Sequence, residues 1–306
     1  MEANRREGLR GVLQRKESII PVVFHRVLLY GLLGFLISTI HNLRNLGVSV
    51  AVPVLGGIIP TLVIGILLFF RIKIAYERFL DSHKNWNDLI NTVQNIARRV
   101  WVTTREIEPD DRAEKISTIR LIVACVVAAK FHLRREPLNS ELESLVSSEQ
   151  YLQLKNSTNP PLQIAFWVDD YLQKQYERKC INSYQLAALH QLLDRIVDSL
   201  AACERTVKTP VPLVYDIHLK SLISLYCLGL PFLLVSAFAW FTGIVVALVS
   251  FALLGIEEIS REMENPFGYD ESDLPLDSSC EAMLENMENL ISLEPSAANR
   301  SLTSVN

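Results

Sequence analysis

Two long apolar blocks, Val27 to Phe70 and Ser221 to Ile256, flank a middle stretch that carries most of the charge and reads as amphipathic helix. The first block divides at a short loop, His41 to Gly47. Its first run, Val27 to Ile40, is long enough to span a membrane when taken with Ile19 to Phe24, and an uncharged stretch from Val48 to Phe70 follows. The basic N-terminal arm superficially resembles a signal peptide, but no small-residue cleavage site precedes the second stretch. The second block has no charged residue. As one straight helix it would be roughly 54 Å long at about 1.5 Å per residue, against a hydrocarbon core of about 30 Å, so it is expected to fold back near Ala239 to Gly243, where Trp240 and Phe241 suit an interface.

Four spans put both termini on one side, and the basic residues name that side. Arg5, Arg6, Arg10, Arg15 and Lys16 precede the first span, and Arg71, Lys73, Arg78 and Lys84 follow the second. The first loop has only Arg44 and the final turn has no basic residue. The termini and the middle region are therefore expected to be cytoplasmic in a bacterial inner membrane, or stromal in a thylakoid-type membrane. Between the blocks, Leu89, Val93, Ile96 and Val100 recur at helical spacing within a helical region from Ile72 to about Lys130. Arg134 to Pro161 reads as an irregular connection or short helices, a second helix runs from about Ser183 to Ala202, and the tail after Asp277 turns acidic and then Ser/Asn-rich. The resulting division is an N-terminal arm over 1–18, a first membrane pair over 19–70, a cytoplasmic helical region over 71–218, a second membrane pair over 219–256 and an acidic C-terminal segment with a mobile end over 257–306.

Composition narrows the function classes. The 306 residues are 49% hydrophobic with a formal net charge of −4, and no basic run interleaved with aromatics suits nucleic acid. The five cysteines, Cys125, Cys180, Cys203, Cys227 and Cys280, lie far apart with no metal-site spacing, which predicts reduced structural thiols. His25 and Arg26 sit where snorkelling to the interface is expected, and His41, His83, His132, His190 and His218 are scattered without a partner at catalytic spacing. No Ser/His/Asp or Cys/His arrangement and no Walker loop is present, so the chain does not read as an enzyme. Glu257 and Glu258 are expected to pair with Arg71 or Arg78 across the helices.

The stretch Phe69-Phe70-Arg71-Ile72-Lys73-Ile74-Ala75-Tyr76-Glu77-Arg78-Phe79, followed by Trp86, resembles the segment in bestrophins that leaves the second membrane helix. Glu257-Glu258-Ile259, then Asn265-Pro266-Phe267-Gly268-Tyr269-Asp270 to Asp273-Leu274-Pro275-Leu276-Asp277, is similar to that family's Asn-Pro-Phe-Gly acidic signature. Cys203-Glu204-Arg205 with Thr209-Pro210-Val211-Pro212 resembles the bacterial and plant branch, and the matches run in order over roughly 17–277. Ile72-Lys73 and Phe79-Leu80 depart from the family's usual Thr-Asn and paired aromatics, which bears on ion preference.

The resemblance implies an all-α integral membrane protein with four transmembrane helices per subunit and a cytoplasmic helical domain, assembled as a homopentamer around one axial pore. Leu62, Ile66 and Phe70 recur every four residues with about 40° of drift per step, and by resemblance they match the bestrophin neck, where copies stack as apolar rings. Ile181 is the nearest aliphatic residue to a second, cytoplasmic constriction. Glu262, Asn265, Asp270 and Asp273 supply oxygen ligands in the region of the calcium clasp of animal bestrophins, though no cofactor is required. The function implied is passive conduction of chloride or another small monovalent anion, with lipid and further copies of the chain as partners. A monovalent-cation channel and a non-conducting membrane-anchored scaffold remain as alternatives, and Ala at Ile66 or Phe70 would change flux in a channel only.

Overall fold

The computed structural model describes residues 20–44, 54–209, 211–270 and 272–294, and among them every regular element is helical. The order is α1 (Ile20–Arg44), α2 (Val54–Thr103), α3 (Asp111–Arg134), α4 (Ser140–Glu143), α5 (Ser148–Lys155), α6 (Pro160–Glu177), α7 (Ser183–Lys208), α8 (Leu213–Phe238), a 3₁₀ turn (Ala239–Phe241), α9 (Thr242–Met263) and α10 (Leu276–Ser292). Two compact units result. The first takes the chain to Phe79, Pro210–Asn265 and Asp270–Ser272; the second takes Leu80–Thr209, Pro266–Tyr269 and the chain from Asp273.

Four stretches of the described residues are long and apolar enough to cross a membrane: Pro21–Leu43, Gly57–Thr103, Asp111–Arg134 and Leu213–Met263. The last folds back at Ala239–Phe241, within the expected turn, and so supplies two spans, α8 and α9. Asp111–Arg134 was no expected span and is the central helix of the second unit. Its residues from Ile122 to Phe131 are consecutively buried, and a helix apolar on all sides can be buried in protein as readily as in lipid. The spanning set is therefore α1, the first part of α2, α8 and α9.

In the first unit, α1 and α9 approach through small residues. A Cβ placed on Gly34 would stand 2.9 Å from the Gly243 Cα, and one on Gly31 would stand 3.2 Å from the Ala247 Cβ. Close backbone contact of this kind replaces the hydrophobic drive that spans lack in lipid. Val23 and Tyr30 of α1, Ile64 and Leu68 of α2, Leu219, Ile223, Cys227 and Leu230 of α8, and Val246 and Leu254 of α9 form one core.

The α8–α9 turn is strained. Ala239 has φ 42° and ψ −119°, and its carbonyl accepts hydrogen bonds from the Ser38 and Thr242 hydroxyls at 2.6 Å each. A non-glycine residue there costs about 1–3 kcal/mol, which the two hydroxyls offset.

The second unit packs α3 against α6, α7, α10 and the lower part of α2, with Trp86 and Trp101 fully buried. The expected helical region from Ile72 to about Lys130 is two helices, parted between Thr103 and Asp111. Pro109 supplies no backbone N–H there, and the Asp111 Oδ2 accepts from the Ile107 and Glu108 N–H groups at 2.7 and 2.8 Å. The turn cluster Asn156–Pro161 is the start of α6, with Asn159 as its cap and prolines in the first turn. Helix α7 starts at Ser183 as expected, behind an Asn182–Gln185 capping box, but continues to Lys208. Helix α1 likewise runs through Arg44, into the expected first loop.

The acidic stretch after Asp277 is helical, and 295–306, where a mobile end was expected, lies outside the described residues, as does the N-terminal arm. Helix α10 is tied to α3 by Lys130, which donates to Asp277 at 2.9 Å and Glu141 at 2.7 Å, and by Arg134, 2.9 Å from Asp277. All five cysteines are free and buried, and burial pushes the Cys203 and Cys280 thiols up to about 12, which makes them unreactive.

Two outcomes are expected. Ala239→Gly removes the backbone strain and raises stability by about 1 kcal/mol after glycine's added chain entropy, read as a higher melting temperature in detergent. Burial acts to raise the Asp277 pKa, but the hydrogen bonds from Lys130 and Arg134 outweigh it and hold the carboxyl below its ordinary 3.8. A depressed folded-state pKa gives stability that is present above 3.8 and lost as pH falls through the lower value. Asp277→Asn is therefore expected to melt lower at neutral pH and to show a shallower decline on acidification, followed by tryptophan fluorescence, since the Trp101 N–H donates to the Leu293 carbonyl just beyond α10.

Candidate functional site

Helix α2 has two opposed faces where it crosses the first unit. Ile64, Leu68, Arg71 and Ala75 are buried, and about 180° around the helix Leu62, Ile66 and Phe70 are 59, 54 and 51% exposed. The flanking Ile58, Ile59, Val63 and Phe69 are exposed as well, so the outward arc is apolar as far as Phe70, beyond which Lys73 and Glu77 continue the same face. A face of this composition on a spanning helix must meet lipid, another protein surface or a dewetting pore. The rings of Phe69 and Phe70 meet edge to face, with centroids 5.8 Å apart.

Behind this arc, where the apolar stretch ends, lies a charged cluster. Arg71 is 1% exposed; its Nη2 donates to Asp216 Oδ1 at 2.9 Å, and its Nη1 stands 2.6 Å from Glu264 Oε1 without pointing an N–H along that line. Lys220 bridges Asp216 at 2.8 Å and Glu257 at 3.5 Å, and Arg261 pairs with Glu258. Of the expected partners for Glu257 and Glu258, Arg71 is taken by Asp216 and Glu264, while Glu257 meets Lys220 and Glu258 meets Arg261. One physical reason is reach, because Asp216 and Lys220 are one turn apart on α8 and present both signs to the neighbouring helices. Burial raises the Glu264 pKa, and the opposing pull of Arg71 only partly cancels it. A buried pair of this kind does most to fix one register between helices, since any other setting leaves a charge unpaired.

The other anticipated residues lie in both units. Ile181 is 3% exposed, in the core of the second unit, where it walls a groove of about 490 Å³ whose outward side chains include Lys179, Asn182 and Ser183. Glu262 and Asp270, in the first unit, lie near enough to feel each other's charge, and the Asn265 N–H donates to the Glu262 carbonyl at 3.2 Å. Asp273 belongs to the second unit. Among the described residues no three His, Cys, Asp or Glu side chains are placed to hold a metal, and the N-terminal arm and Glu271 lie outside the described residues. The Asn-Pro-Phe-Gly stretch itself packs. Phe267 is 1% exposed in the second unit's core, and Arg134 donates to the carbonyls of Phe267 and Gly268 while stacking on Tyr269.

Sequence reasoning missed the hydroxyl pair of Thr61 and Tyr226, 2.6 Å apart, and the Tyr215 hydroxyl that donates to the Leu67 carbonyl at 3.4 Å. The available signal was polarity: these are among the few hydroxyl-bearing side chains in otherwise aliphatic spans. Arg71→Met leaves Asp216 and Glu264 without their guanidinium and is expected to cost about 3–5 kcal/mol, whereas Leu62→Ala, on the exposed face, should cost under about 1 kcal/mol. Urea or thermal unfolding of the two variants in detergent separates them.

A model of the family described as Bacterial/Fungal Bestrophin protein matches residues 1–289 of this chain. A voltage-dependent anion channel-forming protein of Nostoc sp. is 48% identical over 289 residues, 94% of this chain and 93% of that protein. One of Synechocystis sp. is 43% identical over 284 residues, 93% of this chain and 92% of that protein. The crystal structure of a bacterial bestrophin homolog from Klebsiella pneumoniae superposes with a TM-score of 0.80 over 89% of this chain and 100% of that one, at 24% identity, a likeness of fold.

Proposed function

The chain belongs to the family of bacterial and fungal bestrophin proteins, and on that premise we propose that it forms an anion channel, most simply for chloride, lined by the outward face of α2. The observation that carries this reading is the opposition of faces on α2. Its inner face is locked by a buried ion pair, while Leu62, Ile66 and Phe70 stand free in a row with no charge among them. Five copies around an axis, the assembly the family resemblance implies, would stack these side chains as three apolar rings. A hydrated ion passes such rings only when they are wide enough to stay wet, so the same side chains conduct and gate. The weakly positive ring edges of Phe70 favour an anion over a cation there, without a fixed charge that would trap it.

The relatives' names support the anion reading, since both cyanobacterial proteins are described as anion channel-forming. In this reading α1, the first part of α2, α8 and α9 cross the membrane, and the termini and the second unit lie on the cytoplasmic or stromal side, where Lys73, Arg78 and Lys84 follow the second span. No reacting group is required. Ions move down their gradient and the protein supplies the path.

The reversal potential in planar bilayers under a KCl gradient tests this. The purified protein is expected to reverse toward the chloride equilibrium value, and Ile66→Ala or Phe70→Ala to change the conductance or open fraction severalfold while leaving assembly intact. Reversal toward potassium would replace the anion with a cation, and a silent protein would favour the scaffold.

A further inference from the structure

Side chains of α2 and α8 meet in polar contacts at two levels, with the Tyr215 hydroxyl on the Leu67 carbonyl between them. At one, Thr61 Oγ1 lies 2.6 Å from the Tyr226 hydroxyl; at the other, Arg71 donates to Asp216 at 2.9 Å. Thr61 and Arg71 are ten residues apart on α2, as are Asp216 and Tyr226 on α8. In antiparallel helices rising about 1.5 Å per residue, both pairs therefore meet in a single register, about 15 Å from one another. Sliding or turning α2 by one residue would break both.

The upper contact has a fixed direction. Thr61 has one hydroxyl proton, and it goes to the Gly57 carbonyl at 2.6 Å, so Tyr226 is the donor to Thr61. Pro60, the residue before, has no N–H, so α2 lacks the ladder bond to the Gly56 carbonyl and bends most easily there. Thr61 is thus the first residue past the weak point with a side-chain link to another helix, and Leu62 is its neighbour, about 100° further round.

We propose that Tyr226 and Thr61 are positioning residues of the neck, holding Leu62 turned toward the ion path; this rests on the reading of Leu62, Ile66 and Phe70 as that path. The two ends of the row are held unequally. Phe70 adjoins Arg71, whose buried ion pairs are costly to separate, whereas Leu62 depends on one neutral hydroxyl contact at the membrane-exposed end. The Leu62 ring is then the one that moves as the neck widens, with the Arg71 level as its fulcrum.

A nitroxide on Leu62→Cys in the reconstituted full-length protein reports this directly, because the native cysteines are buried and unlabelled. The readout is the ratio of relaxation enhancement by oxygen to that by a water-soluble nickel chelate. Tyr226→Phe or Thr61→Val is expected to change that ratio at least twofold, Thr61→Ser to leave it near wild type, and a label on Phe70→Cys to report no change. In bilayers without the label, Tyr226→Phe and Thr61→Val should each shift the open fraction severalfold in one direction, and the double variant no further than either alone. An unshifted ratio at position 62 in a conducting protein overturns the proposal, as do additive effects or an equal shift at position 70. A wild type that carries no current while the label still shifts overturns the ion-path reading instead, and with it the role of the pair in a neck, while the pair still sets the rotation of α2.

Discussion

The first unit depends on one buried guanidinium. Arg71 stands where the apolar stretch of α2 ends, fully enclosed, with Asp216 of α8 on one side and Glu264 just past α9 on the other. In lipid, helices gain little from burying apolar side chains against each other, since hydrocarbon is already their solvent. Packing of aliphatic faces therefore leaves rotation and sliding weakly determined. A charge that must be compensated removes that freedom, because almost every other setting of α2 leaves an unpaired ion. The outward presentation of Leu62, Ile66 and Phe70 is a consequence of where Arg71 must point.

The same economy explains the contact of α1 with α9. Glycines at 34 and 243 allow the backbones to touch, which concentrates dispersion and weak polar contacts where side chains would hold the helices apart. The turn between α8 and α9 then has to close tightly enough to bring α9 back to α1. The strained Ala239 is the cost, and Ser38, reaching from α1 itself, helps to hold it. Strain, close approach and hydroxyl partner are parts of one arrangement.

Much of the architecture was legible in the sequence because it follows from hydropathy and local chemistry. The two apolar blocks, the fold-back near Trp240, the start of α7 at Ser183 and the outward row on α2 needed only period, length and caps. What was hidden depended on partners far apart in the chain. Arg71 could be recognised as a charge needing compensation, but Asp216 rather than Glu257 is its partner because of helix register, which no local pattern encodes. Helix α3 shows the opposite difficulty: its composition would pass for a span, and it is its burial that sets it apart as the core helix of the second unit. Lys115 and Lys130 near its ends are compatible with that core because each finds a carboxylate at 2.7 to 3.0 Å.

The Asn-Pro-Phe-Gly stretch illustrates how a family signature can serve packing. Its acidic residues suggest a cation site, yet the residues that the fold uses most fully are Phe267, sunk into the second unit's core, and the two carbonyls bound by Arg134. Arg134 also binds Asp277 and faces Tyr269, so one side chain at the end of α3 ties together the signature stretch and the start of α10. A recurring motif need not mark a ligand site. It can mark the one route by which the chain leaves a membrane helix, enters a helical core and satisfies its backbone on the way, with Asp277 held by the Lys130 and Arg134 it faces.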